Sequence, residues 1–267
     1  MYTVLLSGGS GKRLWPLSND LRSKQYLRLL PREGGGPPCS MVQRVWTQLG
    51  EAGLDQRLIC ASSGQLEILK SQLGSVPVAV EPDRRDTFPA VALSCAYIHS
   101  VLGGRAQDAV CVLPVDPYAQ AGFFEAIKGL EAVLDQSRAE VVLLGSRPDG
   151  PSEKYGYILP GQAREGYFEV RGFVEKPDPE KARLLLSQGA LWNCGVFCFR
   201  LGAMLERLAY YHAPCDYESL FAQYDCLPRV SFDYEVLEKA DSLAAAAYEG
   251  LWCDLGAWSA LTERMGP

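Results

Sequence analysis

Ser7-Gly8-Gly9-Ser10-Gly11-Lys12-Arg13 is the stretch of this 267-residue chain whose residue types and spacing point most directly to chemistry. The three glycines follow a short apolar run, Tyr2 to Leu6, and let the backbone turn sharply and expose N–H groups. Such N–H groups bind phosphate oxygens. Lys12 and Arg13 add cations at the turn and Lys24 adds another further on, so a nucleoside triphosphate can be neutralised from two sides. Two better-known glycine loops fail on spacing. A Walker A loop needs a glycine where Leu6 stands and a Ser or Thr where Arg13 stands, and a dinucleotide fingerprint begun at Gly9 needs a glycine where Leu14 stands. A glycine turn with solvated cations is the plainer alternative.

Other polar residues that could do chemistry stand at the ends of apolar stretches. They are Glu81-Pro82-Asp83-Arg84-Arg85-Asp86-Thr87, Leu113-Pro114-Val115-Asp116, Tyr155-Gly156-Tyr157, Val174-Glu175-Lys176-Pro177, Trp192-Asn193-Cys194-Gly195, Ser231-Phe232-Asp233-Tyr234-Glu235 and Trp252-Cys253-Asp254-Leu255-Gly256. Each has a bland reading beside its chemical one: aspartates cap helices and fill turns, Glu81-Pro82 can be a simple turn, and Glu175-Lys176 can be a solvated pair. Taken together with Gly8-Gly9-Ser10-Gly11-Lys12-Arg13-Leu14-Trp15-Pro16-Leu17, they resemble the ordered signatures of the sugar-phosphate nucleotidyltransferase family, from Val4 to Trp258. Trp15, Ser18 and Lys24-Gln25-Tyr26-Leu27 are similar to its mannose-1-phosphate guanylyltransferase branch.

The resemblance implies joining of a sugar 1-phosphate to the α-phosphorus of a nucleoside triphosphate with loss of pyrophosphate. For that reaction a protein aligns two anions in line, neutralises them and excludes water. Ser7, Gly8, Gly9, Gly11 and Lys12 would hold the nucleotide, with Arg13 and Lys24 catalytic. Asp116 and Asp254 would hold Mg2+, whose hard charge favours carboxylate oxygen. Glu81 and Pro82 would lie at the base; a carboxylate can accept the paired N1–H and N2–H donors that guanine alone presents. Lys176 would bind the sugar phosphate, while Gly156, Glu175, Asn193 and Asp233 would meet the sugar hydroxyls. Two departures bear on these roles: Pro117 stands where relatives usually carry His, and Glu153-Lys154 replaces their Thr-Gly before Tyr155. The implied reaction makes GDP-mannose from GTP and mannose 1-phosphate. Another base or sugar on the same fold, or a non-catalytic subunit that binds nucleotide sugars, are the alternatives.

The elements that must position these residues read as an α/β fold, a Rossmann-like and mostly parallel sheet flanked by helices. Strands are predicted over Tyr2–Leu6, Arg57–Ala61, Val76–Val80, Ala109–Leu113 and Val141–Leu144, alternating with helices over Met41–Leu49, Gln65–Gln72, Pro89–Leu102 and Phe123–Leu134. In such sheets ligands collect at the carboxyl ends of strands, where the motifs fall. After residue 150 come extended pieces, Tyr155–Pro160, Tyr167–Glu175 and Trp192–Arg200, and one helix, Pro179–Gln188, read as a small sugar-binding subdomain. The alanine run Ala244–Ala247 predicts a helix. The expected organisation is one catalytic domain over 1–267, with a nucleotide half to about 150 and a sugar-phosphate half beyond, and no C-terminal β-helix domain.

Composition narrows the partners. Net charge is −6 and no long Lys/Arg block occurs, so neither nucleic acid nor an anionic membrane is expected. No apolar run approaches the roughly eighteen residues of a membrane span, and the N-terminus lacks a signal-peptide pattern, so a cytoplasmic protein is expected, with a homodimer allowed. The nine cysteines lack any C-x-x-C pair and fall mostly in apolar runs, which predicts reduced, buried thiols rather than a zinc site.

Overall fold

The structure, a computed structural model, describes residues 1–9, 23–32 and 35–255. Gly11, Lys12, Arg13, Trp15 and Ser18 therefore lie outside the described residues. The first half runs β1 (Tyr2–Leu6), α1 (Met41–Glu51), β2 (Arg57–Ser62), α2 (Leu66–Leu73), β3 (Val78–Glu81), α3 (Thr87–Ser100), β4 (Ala109–Pro114), β5 (Pro117–Ala119), α4 (Ala121–Ser137) and β6 (Val141–Ser146). β1 pairs in parallel with β2 and β4, and β2 with β3. This is the parallel arrangement the alternation predicts, and it places Ser7, Glu81 and Asp116 at one edge of the sheet. α1 starts at a capping box in which Ser40 and Gln43 satisfy each other's backbone N–H groups. α3 is apolar on nearly every face and buried, because it lies between the sheet and further helices.

The second half runs β7 (Tyr157–Ala163), β8 (Phe168–Val174), α5 (Pro179–Ser187), β9 (Leu191–Arg200), α6 (Leu201–Tyr210), α7 (Tyr217–Ala222), α8 (Phe232–Glu235), β10 (Leu243–Tyr248) and β11 (Trp252–Asp254). One nine-stranded sheet takes in both halves, in the order β3-β2-β1-β4-β9-β6-β10-β8-β7. The expected α/β class holds, but the sheet is mixed. β9 enters antiparallel between β4 and β6, and β7 and β8 form an antiparallel edge. β5 and β11 make a separate antiparallel pair.

The alanine run is a correction to the sequence reading: Ala244–Ala247 is the middle of strand β10, not a helix. It pairs in parallel with β6 (Ala244 to Val142, Ala245 to Leu143) and antiparallel with β8. Alanine's helix preference is worth under about 1 kcal/mol per residue, and the backbone hydrogen bonds offered by two neighbouring strands outweigh it. The small side chains also let α4 cross closely over this strand.

Phe232 at the start of α8 links this core to the site. Fully buried, its ring stacks on Phe197 and Phe199 of β9 with centroids 4.8 and 5.5 Å away. Its N–H donates to Thr87 Oγ1 at 2.8 Å, which ties α8 to the start of α3. The adjacent Asp233 is thereby held over the sheet edge. Phe232→Ala should cost about 3–5 kcal/mol in denaturant unfolding, whereas Phe232→Leu should cost much less. A loss below about 1 kcal/mol for the alanine variant would mean that the stack does not anchor α8.

Candidate active site

A cleft runs along the carboxyl edge of the sheet in two lobes. The first, of about 310 Å3, is bordered by Ser7, Gly8, Gly9, Lys24, Glu81 and Asp116. The second, of about 230 Å3, is bordered by Gly156, Glu175, Lys176, Asn193, Asp233 and Asp254. Leu6, Thr87, Pro114 and Asp116 line both, so the lobes meet at the end of β4. Larger hollows elsewhere on the surface hold none of these residues.

At the junction lies the buried ammonium of Lys24. It donates to Asp116 Oδ2 at 2.6 Å and stands 3.8 Å from Asp254 Oδ1. The two aspartates, far apart in sequence, meet because β5 and β11 pair with Asp254 opposite Pro117, and Leu255 N–H donates to the Asp116 carbonyl at 3.2 Å. Pro117, the departure from the family pattern, opens β5, a position where a strand tolerates a residue without an N–H. Lys24 is itself held against β1. Gln25 donates to the Ser7 carbonyl at 2.6 Å, and Tyr26 shares a 2.8 Å hydrogen bond with Ser7 Oγ. Ser7, expected at the nucleotide, borders the first lobe with its hydroxyl hydrogen-bonded to Tyr26, whose phenol burial pushes up to about 12.

In the first lobe Glu81 is buried, and burial pushes its carboxyl up to about 7 although Tyr224 and Arg84 pull the other way. Its Oε1 accepts a 3.0 Å hydrogen bond from Tyr224, and a Cβ on Gly8 would stand 2.9 Å from its Oε2. Gly8 therefore permits the close approach of the glycine turn and the carboxylate. Pro82 is exposed and outside the lining of either lobe, although residues on both sides of it border the first lobe. Arg84, Arg85 and Thr87, which sequence reasoning did not assign a role, line the first lobe. Asp86 adopts the left-handed conformation (φ 73°) and caps α3 through Thr87 N–H at 2.7 Å. Tyr224 had no sequence signal at all, since it reaches Glu81 across 143 positions.

All five residues expected on the sugar side line the second lobe. Lys176 has φ 42°, an uncommon conformation for a lysine, and donates to Glu175 Oε1 at 2.6 Å. A Cβ on Gly156 would fall 2.6 Å from Glu175 Oε2, so only glycine leaves that carboxylate its place. Asn193 takes its position from three bonds: its N–H donates to the Gly156 carbonyl at 2.8 Å, its Oδ1 accepts from Gly195 N–H at 3.0 Å, and its Nδ2 donates to Asp233 Oδ1 at 3.3 Å. Burial, followed by the charge of Glu175, pushes the Asp233 carboxyl up to about 7. Asp233 does not cap α8; Ser231 does. Tyr155 packs between Trp192 and Trp252, centroids 4.8 and 5.3 Å away, and gives this lobe an aromatic wall. Lys154, the departure before it, also borders the lobe.

Among the described residues, no helix is long and apolar enough to cross a membrane and no cluster of three or more His, Cys, Asp or Glu side chains could hold a metal. Six of the nine cysteines are buried, and all are free thiols.

Comparison with known proteins gives this geometry its context. The Nucleotidyl transferase family model matches residues 2–266. The chain is 32% identical over 290 residues to the alginate biosynthesis protein AlgA of Pseudomonas aeruginosa, covering 98% of this chain and 58% of that protein. It is 31% identical over 291 residues to the mannose-1-phosphate guanylyltransferase of Escherichia coli, covering 98% and 59%. The chain thus spans somewhat under three fifths of the length of these curated relatives. The crystal structure of mannose-1-phosphate geranyltransferase from Thermus thermophilus superposes with a TM-score of 0.83 at 30% identity, covering 100% of this chain and 79% of that one. With the family model matched almost end to end and the fold shared with such a relative, the chain belongs to the nucleotidyl transferase family.

Proposed function

We propose that the chain transfers guanylyl from GTP to mannose 1-phosphate, with nucleotide in the first lobe and sugar phosphate in the second. The observation that carries this reading is the Lys24–Asp116–Asp254 cluster at the point where the lobes meet, since two polyanions must be neutralised and aligned there. The names of the curated relatives from E. coli and Klebsiella pneumoniae support the choice of base and sugar. The described residues act as one catalytic unit, its nucleotide half built on β1 to β6 and its sugar-phosphate half on the elements beyond.

The chemistry asks for no general base. A phosphate oxygen of the sugar 1-phosphate, already ionised, bonds to the α-phosphorus while the bond from that phosphorus to the bridging oxygen of the β-phosphate breaks, and pyrophosphate leaves with the electron pair. The chain's part is positioning and electrostatics. Backbone N–H groups of the glycine loop face the triphosphate, Arg13 and Lys24 offset its charge, and Lys176 holds the phosphate of the sugar. Glu175, Asn193 and Asp233 accept or donate to sugar hydroxyls. Asp116 and Asp254 both face the Lys24 ammonium, and their oxygen donors are of the kind that would suit a hard divalent ion such as Mg2+. Bound there, that ion would supply charge at the α-phosphate.

Pyrophosphate release measured across GTP, ATP, UTP, CTP and dTTP against several sugar 1-phosphates tests the reading, with GTP and mannose 1-phosphate expected to give the highest kcat/KM. Absence of release from every pair would leave a binding protein. Asp116→Asn and Asp254→Asn keep size and most hydrogen bonding but remove charge, so both should fold and lose turnover by orders of magnitude, with weaker Mg2+ dependence. Near wild-type turnover of Asp254→Asn at limiting Mg2+ would make its carboxylate structural.

Lys176→Ala should raise KM for the sugar 1-phosphate by about tenfold or more, from loss of a charge-assisted hydrogen bond, with a much smaller change for GTP. Equal rises in both constants would overturn its assignment.

Glu81 and Asp233 also make stability depend on pH. Both carboxyls stand near 7 in the fold, above their ordinary values near 4, so between those limits the folded protein holds more protons than the unfolded chain. Their contribution to stability is complete below about pH 4 and is lost as pH rises through 7. The melting temperature of the substrate-free protein should therefore fall between pH 5 and 8, and Glu81→Gln with Asp233→Asn should flatten that slope. An unchanged slope in the double variant would place the titrating groups elsewhere.

A further inference from the structure

Glu81 is 4% exposed, and its two oxygens have different surroundings. Oε1 takes the Tyr224 hydrogen bond, while Oε2 lies beside Gly8, on the side that borders the first lobe. The terminal torsion of a glutamate is a broad, twofold well, so a carboxylate with neither oxygen held presents no fixed edge. Tyr224 supplies the missing constraint from a separate part of the chain. It is 3% exposed, in the single turn Tyr224–Cys226 between α7 and α8. That turn is anchored independently of Glu81, because Arg85 donates to the carbonyls of Asp225 at 3.3 Å and Leu227 at 3.0 Å.

We propose that Tyr224 is a positioning residue for base selection: its hydroxyl holds Glu81 with Oε2 presented to the nucleotide lobe and stabilises the charged carboxylate that accepts the paired N–H donors of guanine. The proposal rests on the reading of Glu81 as the group that selects the base. Two facts support the direction of the bond. Burial and the charge of Glu81 push the phenol well up, so it remains protonated and donates. The same bond draws the Glu81 carboxyl down against burial, which otherwise raises it. Among the described residues, the other titratable groups that face Glu81 are Cys60 of β2 and Asp83 and Arg84 of the turn after β3, and the bond at Oε1 comes from Tyr224.

The test compares wild type, Tyr224→Phe, Glu81→Gln and the double variant, with KM for GTP, ATP and mannose 1-phosphate measured from pH 6 to 9. Tyr224→Phe should raise KM for GTP about tenfold at pH 7, as expected for a lost hydrogen bond to a charged group, and change that for the sugar phosphate less than about twofold. Its GTP defect should shrink as pH rises, because the carboxylate that has lost its donor ionises later; titration of GTP itself is common to every variant and cancels. The double variant should be no worse than Glu81→Gln. A carboxyl 13C titration of the substrate-free protein should show Glu81 ionising at higher pH in Tyr224→Phe, a readout independent of turnover. A GTP defect that is constant with pH and adds to that of Glu81→Gln would make Tyr224 merely structural and overturn the proposal, as would an unmoved Glu81 titration. If Glu81→Gln itself leaves the GTP/ATP preference unchanged, the base-reading role of Glu81 has failed, and the proposal falls with it. Loss of preference in Glu81→Gln alongside wild-type behaviour of Tyr224→Phe overturns the proposal alone.

Discussion

The site depends on a buried ammonium. Lys24 is 7% exposed, and burying an ammonium to that extent is costly unless anions are placed beside it. Asp116 and Asp254 provide them, one from the residues after β4 and the other from the end of β11. Most of the local architecture serves that meeting. Ser7, Gln25 and Tyr26 fasten the lysine to β1, and the pairing of β5 with β11 brings the second carboxylate alongside the first. The cluster is also where the two lobes join, so its charges are those a pair of phosphate substrates would meet.

A second constraint links the lobes from above the sheet. The segment from Tyr224 to Asp233 touches Glu81 at one end and Asn193 at the other. Between these it is fastened to the turn after β3: Arg85 donates to its carbonyls, Arg229 donates to the Arg84 carbonyl at 2.7 Å, and Phe232 N–H binds Thr87. Phe232 then sets the segment's depth by stacking on β9. One strap thus registers both halves of the cleft against the turn after β3 and the start of α3. Conformational and electrostatic costs gather at the cleft as well, in the left-handed Asp86 and Lys176 and in the Glu81 and Asp233 carboxyls, which burial pushes up to about 7.

Much of this was legible in the sequence because it is local. The spacing of apolar residues marked the parallel strands and their helices, and the glycine, proline and carboxylate motifs fell at strand ends, where a sheet of this kind gathers ligands. Nearly all the residues singled out on the described part of the chain do line the cleft, Pro82 excepted. The alanine run misled because intrinsic preference is weak beside two open strand edges. The inserted β9 gave no warning either, since a buried strand reads the same in either direction.

The sequence by itself determined the class of fold, the family and the kinds of side chain available for phosphate and sugar, since those follow from residue types at short spacing. Only the tertiary structure decided that Lys24 sits between Asp116 and Asp254, that Ser7 gives its hydroxyl to Tyr26, and that Tyr224 reaches Glu81. These pairings join residues remote along the chain, and they follow from strand order, helix packing and burial, which no local pattern encodes.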